Sequence, residues 1–225
     1  MRAITRFAAA AAALSLTAFA GSANAAVVLG LSSDGGTTIV PGTDLNPLAD
    51  VLNGFDVFAG FQLSTNADIG IAPTLLNSTT IDTRFGGERP STIDVYVTRT
   101  DVSGPMPAGG YKSSFTNNIL PTGWTVRERT YVSAANALFT GTLLGDKTFL
   151  TPGTETQFDG ALAGGAPYSV TTRYTIAATG SGSALSTITL SSAAVPEPGT
   201  WALMITGFGG AGALLRRRRQ AAVAA

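Results

Sequence analysis

Across residues 26–195 apolar and polar side chains alternate in short pieces, a period of two that sets one group on each face of a β-strand. Phe55, Val57, Ala59, Phe61 and Leu63 alternate with Asp56, Phe58, Gly60 and Gln62, which predicts one strand. Ile93, Val95 and Val97 alternate with Asp94, Tyr96 and Thr98. Trp124, Val126, Thr130 and Val132 share a parity with Glu128 in their midst, while Arg127, Arg129 and Tyr131 take the opposite face. The longest alternation sets Tyr168, Val170, Thr172, Tyr174 and Ile176 against Ser169, Thr171, Arg173 and Thr175. Turn formers separate these pieces: Asp34-Gly35-Gly36, Asn53-Gly54, Gly86-Gly87, residues 105–110, 121–123, Gly145-Asp146, Pro152-Gly153, Gly164-Gly165 and 180–182. Short Thr-rich strands between Gly and Pro turns predict an all-β fold, an antiparallel β-sandwich. Residues 45–52 have room for one helical turn at most, and no repeat of fixed period is found. Residues 26–192 therefore read as one sandwich ectodomain.

The two ends follow another pattern. Arg2 and Arg6 precede an apolar run over residues 7–20, which is too short to span a bilayer and ends in Gly21-Ser22-Ala23-Asn24-Ala25. A cationic start, a short apolar stretch and a small-residue boundary make residues 1–25 a secretory signal peptide, read as a signal helix and cut between Ala25 and Ala26 with Ala23 as the second small residue. The partners this implies are the secretion translocon and signal peptidase. At the other end, Pro196-Glu197-Pro198 precedes an apolar run over residues 201–215 and the cluster Arg216, Arg217, Arg218 and Arg219. As a helix that run measures about 22 Å at 1.5 Å per residue, short of the roughly 30 Å hydrocarbon core. A spanning pose then relies on local thinning, on snorkelling arginines and on Trp201 at the far interface. The four arginines act as a stop-transfer flank and stay cytoplasmic, with Pro196 outside.

Composition sharpens this division. The 225 residues contain no Cys and no His, which excludes disulfide frameworks, thiol nucleophiles, Cys/His zinc sites and His-based triads. The charges cancel over the whole chain, but residues 26–195 carry 13 acids and 8 bases, a balance of −5. That sign argues against nucleic acid as a partner of the middle segment.

The C-terminal 33 residues, 193–225, resemble a PEP-CTERM sorting signal of the variant with Trp-Ala two residues beyond Pro-Glu-Pro: Pro196, Glu197, Pro198, Trp201, Ala202, Met204-Ile205, Gly207-Phe208-Gly209, Leu214-Leu215 and the Arg216 cluster all fit. The departures are Leu203, where Met is frequent, and residues 220–225 beyond the arginines. The resemblance implies recognition by an exosortase, a membrane-embedded cysteine peptidase that cuts near Pro-Glu-Pro. It further implies a Gram-negative bacterium that makes exopolysaccharide, a transient inner-membrane anchor through the C-terminal helix, and a final place at the cell surface or in the matrix. Two prolines around Glu197 keep the chain extended, the shape a peptidase cleft binds.

Several patterns look chemical, and each has a plainer reading. Gly207, Gly209 and Gly212 satisfy G-x-G-x-x-G, but they lie in a terminal apolar run with no strand before them, so no dinucleotide cofactor is expected. Small residues there suit close helix packing, either against the processing enzyme or against lipid. Asp44, Asn46, Asp50, Asn53 and Asp56 cluster oxygen ligands without the Gly and Glu of an EF-hand loop, and read as loop and turn chemistry. Glu155 with Asp159, or Asp82 with Glu88, are the candidate carboxylate pairs for glycoside hydrolysis, a matter of separation in space. Asn77-Ser78-Thr79 matches a glycosylation acceptor that a bacterial envelope protein seldom uses. Arg127-Glu128-Arg129 reads as a cross-strand ion-pair set on the solvated face.

The sequence thus assigns no catalytic residue, no metal ligand and no cofactor. The leading expectation is a non-enzymatic structural or adhesive component of a biofilm exopolysaccharide layer. A carbohydrate-binding module is the alternative, with Trp124, Tyr96, Tyr111, Tyr131 and Tyr168 as candidate platform aromatics. A carboxylate-dependent glycoside hydrolase comes last.

Overall fold

The computed structural model describes residues 26–44, 51–69, 73–103, 105–193, 203–210 and 212. The described strands are β1 (Val27–Ser32), β2 (Val40–Pro41), β3 (Val51–Phe58), β4 (Phe61–Asp68), β5 (Thr74–Phe85), β6 (Ser91–Val102), β7 (Tyr111–Ile119), β8 (Thr125–Ser133), β9 (Thr142–Phe149), β10 (Gly153–Asp159), β11 (Tyr168–Ala178) and β12 (Gly182–Ser192). They form two six-stranded sheets, in the orders β2-β1-β6-β11-β8-β9 and β10-β7-β12-β5-β4-β3, with every pairing antiparallel. The protein is an all-β antiparallel sandwich. Of residues 45–52, Val51 and Leu52 begin β3, and 45–50 lie outside the described residues, as does the signal helix over 1–25.

The inward sets of the alternations fill the space between the sheets. Phe61, Leu63, Leu76, Ile93, Val95, Val97, Phe115, Trp124, Val126, Val170, Tyr174, Ile176, Ile188 and Leu190 are all buried there. Each such side chain contributes roughly 1.5–3 kcal/mol through the apolar surface it removes from water. The Trp124 indole N–H, which burial alone would leave unpaired, donates to the Gly180 carbonyl at 3.1 Å.

Three sequence expectations are corrected. Residues 55–63 are not one strand: Ala59 and Gly60, at φ of 51° and 85°, make a two-residue hairpin turn between β3 and β4. The turn resets the parity, so Phe61 and Leu63 point into the core while Phe55 and Val57 point out, 53% and 68% exposed. Asn53-Gly54 lies inside β3 and not in a turn. Glycine is needed there because a Cβ at Gly54 would sit 2.8 Å from the Thr43 carbonyl oxygen. Gly145-Asp146 likewise lies inside β9, where a Cβ on Gly145 would meet the Phe115 ring at 2.8 Å.

The fourth correction concerns Glu128. Its parity places it in the sandwich interior, fully buried, and not on the solvated face with its arginine neighbours. It sits in a seam of polar side chains between the sheets. There Ser113 and Thr130 hydrogen-bond at 2.6 Å, Asn117 Nδ2 donates to the Ser186 hydroxyl at 2.8 Å, and Ser78 and Tyr174 share a bond at 2.6 Å. Tyr174 is the register partner of Glu128 and also accepts the Ile188 amide at 3.0 Å. Burial pushes the Glu128 carboxyl up to about 8, although the Ser186 hydroxyl and the Thr116 amide face it and moderate the rise. Neither reaches full hydrogen-bond geometry, so Oε1 and Oε2 lack partners among the described residues. Arg127 is the member of the triplet that does form an exposed cross-strand pair, with Asp146 of β9.

Candidate functional site

Most of the sequence-predicted processing residues lie outside the described residues: Ala23, Ala25, Pro196, Glu197, Pro198, Trp201, Ala202, Arg216, Arg217, Arg218 and Arg219. Ala26 is the first described residue and is exposed; its carbonyl accepts the Thr100 amide at 2.9 Å, tying the segment before β1 to β6. At the other end β12 runs to Ser192 and is held there by the Pro73 carbonyl, which accepts the Ser192 amide at 2.8 Å. In the tail, residues 203–210 form a helix that buries none of its side chains: Leu203 is 75%, Ile205 69% and Phe208 76% exposed. Among the described residues nothing lies within 4 Å of a Cβ placed on Gly207, Gly209, Gly210 or Gly212. Among the described residues no helix is long and apolar enough to cross a membrane, and the predicted 201–215 span extends beyond them on both sides.

The aromatic platform expected of a sugar-binding module does not form from the residues named for it. Trp124, Tyr96, Tyr111 and Tyr168 are all buried, and Tyr131 is half-buried. Tyr96 lies under the loop over residues 33–39, stacked by the Arg173 guanidinium 4.8 Å from its ring centre and edge-on to Phe139 at 5.8 Å. That loop is pinned by Asp34, which accepts the Ser32 hydroxyl at 2.7 Å and the Thr38 amide at 3.0 Å. Those bonds, the Thr38 amide first, hold its carboxyl down at about 2.

Of the candidate acid pairs, Glu155 with Asp159 is not spaced for hydrolysis. Glu155 and Asp159 share a strand four residues apart, roughly 13 Å at 3.3 Å per residue, and glycosidase carboxylates sit within about 10 Å of each other. Glu155 is paired with Lys147 and accepts Gln157 at 2.8 Å, and Asp82 pairs with Arg84 at 3.6 Å. In the candidate calcium cluster, Asp56 caps the Thr43 amide at 3.0 Å and Asp44 accepts the Asn53 amide at 3.4 Å. Asn46 and Asp50 are outside the described residues, and no group of three acids gathers among those described. Asn77 sits in β5, where it accepts the Thr189 hydroxyl at 3.0 Å.

The structure instead brings together a surface that strand-by-strand reading missed. On the outer face of the second sheet the register lines up Phe55, Ser64, Asp82 and Leu185 in one row across β3, β4, β5 and β12, and Val57, Gln62, Arg84 and Ser183 in the next. Two adjoining hollows of about 260 and 520 Å³ share Gln62 and Arg84 and join these rows into one groove. The Arg84 and Asp82 side chains are 68% and 37% exposed, so both ends of their ion pair face solvent in the groove. Farther along the same face come hydroxyl pairs, Ser114 with Thr156 and Thr116 with Thr154. The signal for this groove is in the sequence only once the hairpin at Ala59-Gly60 and the register shift within β5 are known. That shift moves the inward set of β5 from Leu76 and Ser78 to Thr83 and Phe85.

Residues 194–219 match the PEP-CTERM protein-sorting motif, so the chain carries the sorting signal its tail resembles. No curated protein sequence matches the chain. Among solved structures the chain is similar to TmCBM61 in complex with β-1,4-galactotriose, at 9% identity and a TM-score of 0.30, covering 60% of this chain and 88% of that one. It is also similar to the family 11 carbohydrate-binding module from Clostridium thermocellum in complex with a β-1,3-1,4-mixed-linked tetrasaccharide, at 13% identity and a TM-score of 0.31, covering 76% of this chain and 99% of that one. Neither likeness bears on function.

Proposed function

We propose that this is an exported protein, trimmed at its tail by an exosortase and delivered to the cell surface or matrix of a Gram-negative bacterium. There it serves as a non-enzymatic structural or adhesive component of the exopolysaccharide layer. The observation that carries the reading is the sorting motif over residues 194–219. The tail's physical character supports it: an apolar helix that keeps Leu203, Ile205 and Phe208 exposed suits lipid or another membrane protein as its surroundings. In this reading Pro196, Glu197 and Pro198 present an extended segment to the peptidase, Trp201 and Ala202 complete its recognition, and Arg216 to Arg219 hold the tail in the inner membrane until the cut. Signal peptidase has by then removed residues 1–25.

The test replaces Pro196-Glu197-Pro198 by alanines in the native host and follows intact mass in membrane and released fractions. Full-length tail should accumulate in the membrane fraction, at least tenfold over the parent, while the sandwich domain is still reached by protease added outside the inner membrane. Unchanged trimming and release of the altered chain would refute the exosortase assignment.

A further inference from the structure

We propose that the groove across β3, β4, β5 and β12 binds a neutral polysaccharide, with Phe55 as the stacking surface and Asp82, Arg84 and Gln62 as the hydroxyl-binding groups. This deepens the preceding reading and rests on it for the presence of the ligand. A pyranose ring has an apolar C–H face and a rim of hydroxyls, so its receptor needs a bare aromatic face beside planar groups that take hydroxyls in pairs. Phe55 supplies the first, being a phenyl ring left 53% exposed on a sheet face, with Val57 extending the apolar strip at 68%. The second comes from its register neighbours: the carboxylate of Asp82 accepts, the guanidinium of Arg84 donates, and the amide of Gln62 does both.

Charge decides among ligand classes. One cation and one anion, 3.6 Å apart and both solvent-facing, leave the groove without net charge. Phosphate chains and polyuronates gain nothing there, because Asp82 cancels the attraction of Arg84. The groove crosses four strands, roughly 14 Å at 4.7–4.9 Å per gap, so it holds a stretch of polymer rather than a single sugar. Contacts this exposed are individually weak, and repetition along the polymer is what would make them effective.

The experiment is affinity electrophoresis of the full chain, kept in detergent, through gels containing mixed-linkage β-glucan, galactan or dextran as neutral probes and alginate as the acidic one. At least one neutral polymer should retard the chain, and added salt should leave that retardation unchanged. Phe55→Ala should weaken retardation about tenfold, worth about 1.4 kcal/mol of stacking. Asp82→Asn and Arg84→Gln should each weaken it several-fold. Phe158→Ala, on the exposed β10 edge of the same face, should not change it. Because all four side chains are exposed, an unchanged melting temperature shows that each variant is folded. The proposal is overturned if no neutral polymer retards the chain, if Phe55→Ala migrates like the parent, or if only alginate retards it and salt abolishes the effect. The Pro196-Glu197-Pro198 alanine variant should bind as the parent does, so a failure of glycan binding and a failure of tail processing are read separately.

Discussion

Glu128→Gln abolishes a loss of stability that the parent shows as the pH rises from about 4.5 to about 8. In the folded chain the carboxyl is fully buried and holds its proton up to about 8, whereas in the unfolded chain it ionises around 4.5. Between those values the native state keeps a proton that the unfolded state has released. The contribution of this one group is therefore fully present below pH 4.5, declines through the window and levels off above pH 8. Each pH unit inside the window costs up to about 1.4 kcal/mol, and relaxation and water entry reduce the total to on the order of 3 kcal/mol. The window is unusually clean because the chain has no His and no Cys to titrate within it. The lowered carboxyls of Asp34, Asp146 and Glu155 add stability that is lost only toward more acid pH. Glutamine keeps the shape of the neutral acid and has nothing to ionise, so urea unfolding should give the parent and the variant similar stability at pH 4.5. At pH 9 the variant should be more stable by about 3 kcal/mol. Parallel pH dependence of the two proteins would show that the carboxyl is hydrated in the folded state.

That buried acid also marks how far the sequence was legible. The alternation around Trp124, Val126, Thr130 and Val132 put Glu128 on the inward parity, and the structure agrees with the parity. The expectation of a solvated ion-pair set let a general habit of acids override the local pattern, and the habit lost. Strand positions were readable elsewhere because period two survives any sheet order. Turn positions were less so: Gly54 and Gly145 have the composition of turns, yet are glycines because Thr43 and Phe115 crowd them from neighbouring elements. Such crowding is a tertiary fact that no local window contains. The same holds for the groove, since Phe55, Gln62 and Arg84 belong to three strands and meet only through register. The tail was the opposite case, a linear motif over residues 194–219 that is legible in the sequence without any fold.

Asp94→Ala is expected to cost the domain about 3 kcal/mol, a fall in melting temperature of roughly 6–12 °C for a chain of this size. Asp94 stands on the outer face of β6, yet its side chain is only 2% exposed. Its Oδ1 accepts Arg173 through Nε at 3.0 Å and Nη2 at 2.9 Å, and the Thr175 hydroxyl at 2.5 Å, with Arg129 at 4.0 Å. Arg173 and Arg129 are themselves 16% and 13% exposed, so removing the carboxylate leaves the mostly buried Arg173 guanidinium without its counter-charge and takes from Arg129 one of the two acids beside it, the other being Asp146. The effect reaches past one contact, because Arg173 also stacks on Tyr96 and donates to the Gly35 carbonyl at 3.1 Å, fastening the loop over residues 33–39 to the sheet. Losing Asp94 should therefore raise hydrogen exchange in that loop more than in β7 or β12 of the opposite sheet. A second substitution, Arg173→Met, should restore part of the lost stability in the Asp94→Ala background while costing stability on its own, the sign of coupling expected of a desolvated pair. Additive costs for the two changes, or a loss below about 0.5 kcal/mol for Asp94→Ala, would place these charges in the class of solvent-screened surface pairs. The loop would then owe its position to Asp34 and its own hydrogen bonds to Ser32 and Thr38.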